Sequence, residues 1–220
     1  MSSSISSHSS LSLNLENNGV YVLEKRSGVS FPSILGPSLK LCGVGLRKKS
    51  LIPFISFDVY AFGVYAADLD IKKYLSWKYK KFSASKLQGK KEFTDDLMEN
   101  DIFMAVSLQI IHDGLSIPKV RSVFEESVGS RLYKFGGSDN KELLQRFTSL
   151  FRDEYKIPRG SVIHLLREKG HVLRVLIDGQ EVGSIQSKLL CKSILDLYVG
   201  EEAFDEPAKE EIENNVATYL

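Results

Sequence analysis

Apolar and polar positions alternate, or apolar residues form short β-branched and aromatic runs, mainly toward the two ends of the chain. The run ISFDVYAFGVYA at 55–66 is the longest and predicts a long strand. Asp178-Gly179 joins two alternating segments and predicts a tight hairpin. Pro53 is predicted to separate two strands, because proline cannot take part in a central ladder. The predicted strands cover 20–25, 39–48, 55–66, 102–111, 161–166, 171–177 and 181–186.

The middle of the chain carries apolar residues at helical spacing instead. Pro118 stands near the first turn of one predicted helix, Ser138 is the predicted cap of another, and Gly200 ends a third. The predicted helices cover 67–82, 92–98, the segment that opens at 116–118, 138–155, 188–199 and 208–219. Strands grouped at both ends with helices between them predict an α+β fold with a largely antiparallel sheet.

The first eighteen residues differ in composition from the rest. Eight serines lie within 1–13, with no acidic residue, lysine or arginine. Such a start is typical of a plastid or mitochondrial presequence, although it lacks the usual arginines, and a plain disordered tail is the alternative. We therefore expect a disordered segment at 1–18, as a presequence remnant, and one domain at 19–220.

Composition removes several classes of function. A net charge of +1 argues against bulk attraction to nucleic acid, and no run of 18 apolar residues is present. Cys42 and Cys191 are far apart, which excludes a disulfide framework or a cysteine zinc site. The four histidines show no metal-binding spacing, and no phosphate-binding loop or nucleophile elbow is found. We expect no cofactor and no metal.

The segment 72–91 contains eight lysines and no acid, with aromatic residues interleaved. This pattern suits either an anionic membrane surface or a nucleic acid. It equally suits a solvated helix whose aromatic residues pack inward. The acids at 201–213 can balance these lysines, and they favour the solvated helix.

Arg47 and Tyr60 are the most suggestive polar residues of the first strands. Arg47 ends a mostly apolar strand next to Gly43 and Gly45, which leave room for a close approach. If the strands are neighbours, a guanidinium and a phenol converge at one end of an apolar cavity and can hold an anionic head group. Alternatively, Arg47 is a surface or ion-paired residue, with Asp58 as its partner, and Tyr60 is a core aromatic.

Four segments in order resemble the chalcone isomerase family over 39–220: LCGVGLRKKS, DVYAFGVYAADLD, SIPKVRSVFEESVGSRL and VGSIQSKLLCKSILDLYVGEEAFDE. The resemblance implies an open-faced β-sandwich, in which a large antiparallel sheet carries a helical layer. The tyrosine in VYAFGVYA resembles the plastid fatty-acid-binding branch, because the true isomerases have threonine at that place.

The resemblance also implies roles for particular residues. The isomerases use an arginine, a threonine, a tyrosine and an asparagine. Here Arg47 matches the arginine, Tyr60 replaces the threonine, Ser127 stands where the asparagine is expected, and the tyrosine has no match. The resemblance thus implies a protein that is not an enzyme and binds saturated fatty acids of medium to long chain in the chloroplast stroma. Arg47 and Tyr60 would hold the carboxylate, with Ser127 as a further polar contact or simply as part of the pocket lining. A chalcone isomerase and a non-catalytic helper of flavonoid biosynthesis are the alternatives.

Overall fold

A computed structural model describes residues 19–52 and 55–220. The predicted segment 1–18 and Pro53 therefore lie outside the described residues. Seven strands form one antiparallel sheet in the order β3-β4-β5-β6-β7-β8-β9, and β1 pairs with β2 in a separate hairpin. The strands are β1 Tyr21–Glu24, β2 Val29–Pro32, β3 Ile34–Leu35, β4 Leu39–Ile52, β5 Ile55–Ala67, β6 Met104–Ile110, β7 Val162–Glu168, β8 Val172–Ile177 and β9 Gln180–Gln186.

The helices build a layer on one face of the sheet, and the β1–β2 hairpin packs on the other. Phe62 and Val64 of β5 face the helices, whereas Tyr65 faces the hairpin and donates its hydroxyl proton to the Pro32 carbonyl. This arrangement confirms the α+β sandwich with a large antiparallel sheet. The helices are α1 Asp68–Tyr79, α2 Ala84–Leu87, α3 Lys91–Glu99, α4 Ile117–Gly136, α5 Lys141–Thr148, α6 Lys188–Val199 and α7 Glu206–Ala217.

The predicted helix 138–155 is shorter than its apolar stripe suggested. Asn140, not Ser138, is the N-cap of α5, and its side-chain amide donates to the Gly137 carbonyl. The helix ends at Thr148, yet Phe151 still packs against Phe147 through a following turn, with ring centroids 5.6 Å apart. Apolar spacing alone does not show where helical hydrogen bonding stops, because a turn can place the next aromatic residue in the same core.

Some short elements and one helix start also differ from the prediction. Strands β2 and β3 and the short helix α2 have no counterpart in the prediction, because two to four residues are too few to show a period. Helix α7 begins at Glu206, earlier than expected, since the Asp205 side chain accepts from the Ala208 backbone N–H.

Gly43 and Gly45 allow α7 to lie directly on β4. A Cβ atom at Gly43 would lie 2.8 Å from Ile212 Cγ1, and one at Gly45 would lie 2.7 Å from Ala208 Cβ. The predicted close approach is therefore made by a helix. Asp205, at the start of that helix, accepts a hydrogen bond of 2.8 Å from the Leu46 backbone N–H. This contact fixes the start of α7 beside the position of Arg47.

His164 makes the stability of the fold depend on pH. Its imidazole is buried on β7, burial lowers its pKa to about 4, and Asp178 offsets this only partly. The unfolded chain binds a proton near pH 6.5, so the stabilisation is complete above pH 6.5 and is lost as the pH falls to about 4. We expect the free energy of unfolding to fall by on the order of 2 kcal/mol across this window.

Urea unfolding of the wild type and of His164→Gln at pH 7 and pH 4.5 checks this expectation. The variant should lose less stability between the two pH values than the wild type does. An identical loss in both proteins would assign the acid sensitivity to other groups.

Candidate ligand-binding site

A β-bulge at Val59 shapes the site. Arg47 pairs with Tyr60 and Lys48 pairs with Asp58, so Val59 has no partner across the β4–β5 ladder. A bulge of this kind turns two consecutive side chains toward one face. Val59 and Tyr60 therefore both line an apolar cavity beneath α4, with Phe124 on its opposite wall.

The bulge also overturns the suggestion that Asp58 pairs with Arg47. Asp58 stands two residues before Tyr60, a spacing that places both on one face of a regular strand, but the extra residue reverses that alternation. Asp58 lies 3.8 Å from the Lys48 ammonium in an exposed ion pair instead. Among residues 19–52 and 55–220, no carboxylate forms an ion pair with Arg47.

The Arg47 guanidinium is partly buried and stacks on an aromatic ring. Its Cζ atom lies 3.6 Å from the ring centroid of Phe204, which is in the loop between α6 and α7. Stacking over an aromatic face stabilises the cation and leaves its N–H donors at the edge. Arg47 thus presents a planar fork of donors that has no anion within the described part of the chain.

Tyr60 lies opposite Arg47 and is joined to a second buried tyrosine. The hydroxyl oxygens of Tyr60 and Tyr198 are 3.2 Å apart, and either can be the donor. Burial raises the pKa of Tyr60 to about 12, and the Tyr198 hydrogen bond and the Arg47 charge offset part of that effect. Burial also raises the pKa of Tyr198 well above its usual value. Both groups are neutral phenols at pH 7, so the pair has one proton left to donate to an anion.

Ser127 borders the same cleft as Arg47, but its hydroxyl proton is already engaged. It donates to the Val123 carbonyl one turn earlier in α4, at 2.7 Å. The serine oxygen can still accept a hydrogen bond, whereas donation would require that helix contact to break. The structure thus brings the three predicted residues to one region, with Ser127 as a wall of the cleft.

Three adjoining cavities follow α4 along the sheet. The first, of about 260 Å³, holds Arg47 and Ser127. The second is the apolar cavity below Tyr60, of about 20 Å³, and the third, of about 300 Å³, lies near His112. Val123 borders all three. We call these three cavities, which share Val123 in their lining, the groove; Arg47 lies at its cationic end, and the cavity below Tyr60 is apolar.

Other charges of the first cavity are paired. Lys49 lies 3.1 Å from Glu126 across the cleft between β4 and α4. Nε of Arg131 lies 2.6 Å from the buried Asp196 carboxylate, although its geometry is not that of a hydrogen bond. Arg47 is accordingly the cation of this cavity that is open to an external anion.

The sequence alone indicated no role in the site for Tyr198, Phe204 or Val123. Tyr198 lies in a helix that was correctly predicted. The one sequence feature that could have indicated its role is a hydroxyl group among apolar neighbours. Phe204 lies in a loop, and no local pattern indicates that a loop ring stacks on an arginine. Only the packing of α4 on the sheet shows that Val123 borders the groove.

The fold and this groove define a protein of the chalcone isomerase type. The family model described as chalcone isomerase like matches residues 37–213, and the chain belongs to that family. Fatty-acid-binding protein 1 of Arabidopsis thaliana is 58% identical over 197 residues, which are 90% of this chain and 71% of that protein. A crystal structure of an Arabidopsis thaliana fatty-acid binding protein is 57% identical, with a TM-score of 0.87, over 91% of this chain and 98% of the other.

Two further relatives are more distant. Fatty-acid-binding protein 2 of Arabidopsis thaliana is 34% identical over 90% of this chain. The chain spans only about half, 51%, of the length of that protein. Chalcone isomerase-like protein 1 of Humulus lupulus is 30% identical over 86% of this chain and 87% of its own length. The Arabidopsis thaliana relatives are named as fatty-acid-binding proteins, and these names agree with the expectation that the chain binds a ligand.

Proposed function

We propose that this protein binds a free, saturated fatty acid of medium to long chain, with the carboxylate on Arg47 and Tyr60. The observation that carries the proposal is a partly buried guanidinium that has no carboxylate partner in the described residues and lies directly across the ladder from a buried phenol. Arginine binds a carboxylate through two parallel N–H donors, and the Tyr60 hydroxyl supplies a third.

The hydrocarbon tail is proposed to lie in the groove between the sheet and α4. Its lining below Tyr60 is apolar, with Leu108, Ile110 and Phe124 among its side chains. Each methylene that leaves water contributes up to about 0.8 kcal/mol, before the tail and side chains are ordered. The cavity below Tyr60 holds only about 20 Å³, so the tail must follow the neighbouring cavities or move the lining side chains.

The same geometry disfavours ring closure of a chalcone. The phenol of Tyr60 occupies the place of the smaller threonine, and it is already bonded to Tyr198. Ser127, at the place expected for the asparagine, directs its proton into its own helix. Ser127 is proposed as a wall of the carboxylate cavity that can accept but not readily donate.

We further propose that the protein acts in the chloroplast stroma, with 19–220 as the ligand-binding domain. The support is the serine-rich composition of 1–13, without acids. Uptake of the full chain by isolated chloroplasts, compared with the chain lacking 1–18, tests this location.

Native mass spectrometry with added laurate, palmitate or a chalcone tests the binding function. We expect one fatty acid per chain and no loss of chalcone absorbance above the spontaneous rate. A protein that takes up neither fatty acid, or that accelerates chalcone cyclisation, would contradict the proposed function.

Removal of the Tyr60 hydroxyl should have a moderate effect on laurate affinity. In Tyr60→Phe the carboxylate keeps Arg47 but loses one hydrogen bond, which costs about 1.5 kcal/mol, or roughly tenfold in Kd. Titration calorimetry measures the change. Tyr65→Phe is the matched control, because its hydroxyl bonds to Pro32 on the other face of the sheet. Equal affinities of Tyr60→Phe and wild type would remove Tyr60 from the site.

A further inference from the structure

Three large apolar side chains on α1 and the turn that follows it are exposed to solvent. Trp77 is 77% exposed, Leu69 is 73% exposed, and Phe82 is also exposed. Leu69, Lys73 and Trp77 are spaced four residues apart, so they lie on one side of the helix. We call the surface formed by Leu69, Lys72, Lys73, Trp77, Lys80, Lys81 and Phe82 the α1 face.

This exposure corrects one of the interpretations of segment 72–91. The expectation that its aromatic residues pack inward holds for Tyr79, which is buried, but is wrong for Trp77 and Phe82. The surrounding sequence offers no apolar partner on that side of α1, because the helix packs on the sheet and on α3 through Ile71 and Leu75.

The lysines of the α1 face are not balanced by the acidic segment near the C-terminus. In the part of the chain that the structure describes, Lys72, Lys73, Lys80 and Lys81 form no ion pair. Glu201 lies 3.5 Å from Lys91, beyond this face. Three other acids of that segment contact groups outside this face: Glu202 faces Arg131, Glu206 faces Lys209, and Glu213 accepts from the Gly89 backbone N–H.

Acidic residues around α1 form ion pairs with lysines that are not part of the α1 face. Asp68 lies 2.7 Å from Lys40, and Asp70 lies 2.5 Å from Lys169. Asp96 and Glu92 both pair with Lys78, on the side toward α3. The α1 face therefore combines uncompensated positive charge with an exposed indole at its centre.

We propose that the α1 face docks the protein onto the surface of an anionic lipid bilayer. Tryptophan favours the head-group level of a membrane, and anionic lipids attract each nearby lysine. The Trp77 indole N–H donates to the Tyr74 carbonyl at 3.1 Å, so the ring can enter an apolar layer without an unpaired donor. Docking of this kind is peripheral, and no helix of the described residues is long and apolar enough to cross a membrane.

A lipid surface fits these observations better than an acidic protein does. The apolar groups protrude from a convex helix, and lysines act as flexible point charges that suit a diffuse negative surface. Protein interfaces concentrate their affinity in aromatic residues and arginines that fill pockets of the partner. The α1 face contains no arginine and relies on lysine.

The proposal is independent of the fatty-acid site. Helix α1 begins after Ala67, at the far end of β5 from Tyr60, so substitutions on α1 leave the groove unaltered. Binding of laurate by each variant, together with its melting temperature, shows that the fold is retained. A loss of vesicle binding and a loss of fatty-acid binding are thus separate results.

Vesicle sedimentation with the full chain tests the docking proposal. Phosphatidylcholine vesicles and vesicles that also contain phosphatidylserine are compared at low and high salt. Trp77 is the single tryptophan of the chain, so its fluorescence emission reports directly on the face. We expect binding to the anionic vesicles only, a shift of emission to shorter wavelength, and release by salt.

Matched charge reversals make the test specific. The double variant Lys73→Glu/Lys80→Glu should bind anionic vesicles at least about tenfold more weakly, because two attractive charges become repulsive. The double variant Lys25→Glu/Lys156→Glu has the same net charge on other surfaces and should bind much as the wild type does. No binding to anionic vesicles would overturn the proposal and leave an acidic protein as the occupant of this face. Equal losses in the two double variants would also overturn it.

Discussion

Replacement of Arg47 with alanine should weaken laurate binding by about 3 kcal/mol, a loss of more than a hundredfold in affinity. The guanidinium is partly buried, stacked on Phe204 and without a carboxylate partner in the described residues, so in the proposed complex the ligand carboxylate supplies its counter-charge. In the variant the carboxylate must enter the same cleft with only the neutral Tyr60 as a donor, or remain in water and withdraw the tail from the groove.

Titration calorimetry at neutral pH measures this loss, and two controls separate charge from geometry. Arg47→Lys keeps the charge but lacks the planar fork, and we expect an intermediate affinity. Arg159→Ala removes an exposed arginine that pairs with Asp113 outside the groove, and we expect no change. Wild-type affinity in Arg47→Ala would place the carboxylate elsewhere.

Val123→Trp should abolish most of the affinity that comes from the tail. Val123 borders all three cavities of the groove, and its side chain is only partly buried, so an indole can fill the groove without displacing the core. If four or five methylenes are kept in water, the loss is about 3–4 kcal/mol, or several hundredfold in Kd.

A comparison of long and short fatty acids distinguishes a blocked groove from a general disturbance of the fold. The loss in Val123→Trp should be large for palmitate and smaller for a short acid such as hexanoate, which leaves the far end of the groove empty. Glu125→Trp places the same ring on the exposed side of α4 and should bind normally. Equal losses for the long and short acids would show that the tail does not pass Val123.

Much of the architecture could be predicted from the sequence because its long elements carry strong patterns. The strand containing Tyr60, the hairpin at Asp178-Gly179 and the helix ended by Gly200 all lie close to their expected places. The elements that escaped prediction are those whose signal is not periodic. Asn140 caps α5 instead of Ser138, and the short strands β2 and β3 gain their stability from packing on β4.

The site was predictable only in part, for a specific geometric reason. Alternation along β5 would place Asp58 on the same face as Tyr60. Only the bulge at Val59 separates Asp58 from Arg47 and Tyr60. Nothing in the local sequence indicates a bulge here, because a bulge depends on how two strands pair. Phe204 and Tyr198 reach the site from distant elements and are visible only in three dimensions.

The most direct test of the central claim is a calorimetric comparison of laurate with its methyl ester. The two ligands share a tail, and only laurate carries the charge that Arg47 is proposed to hold. We expect laurate to bind one per chain and about a hundredfold more tightly than the ester, with the difference lost in Arg47→Ala. Equal affinities for acid and ester, or no binding of laurate, would contradict the carboxylate site.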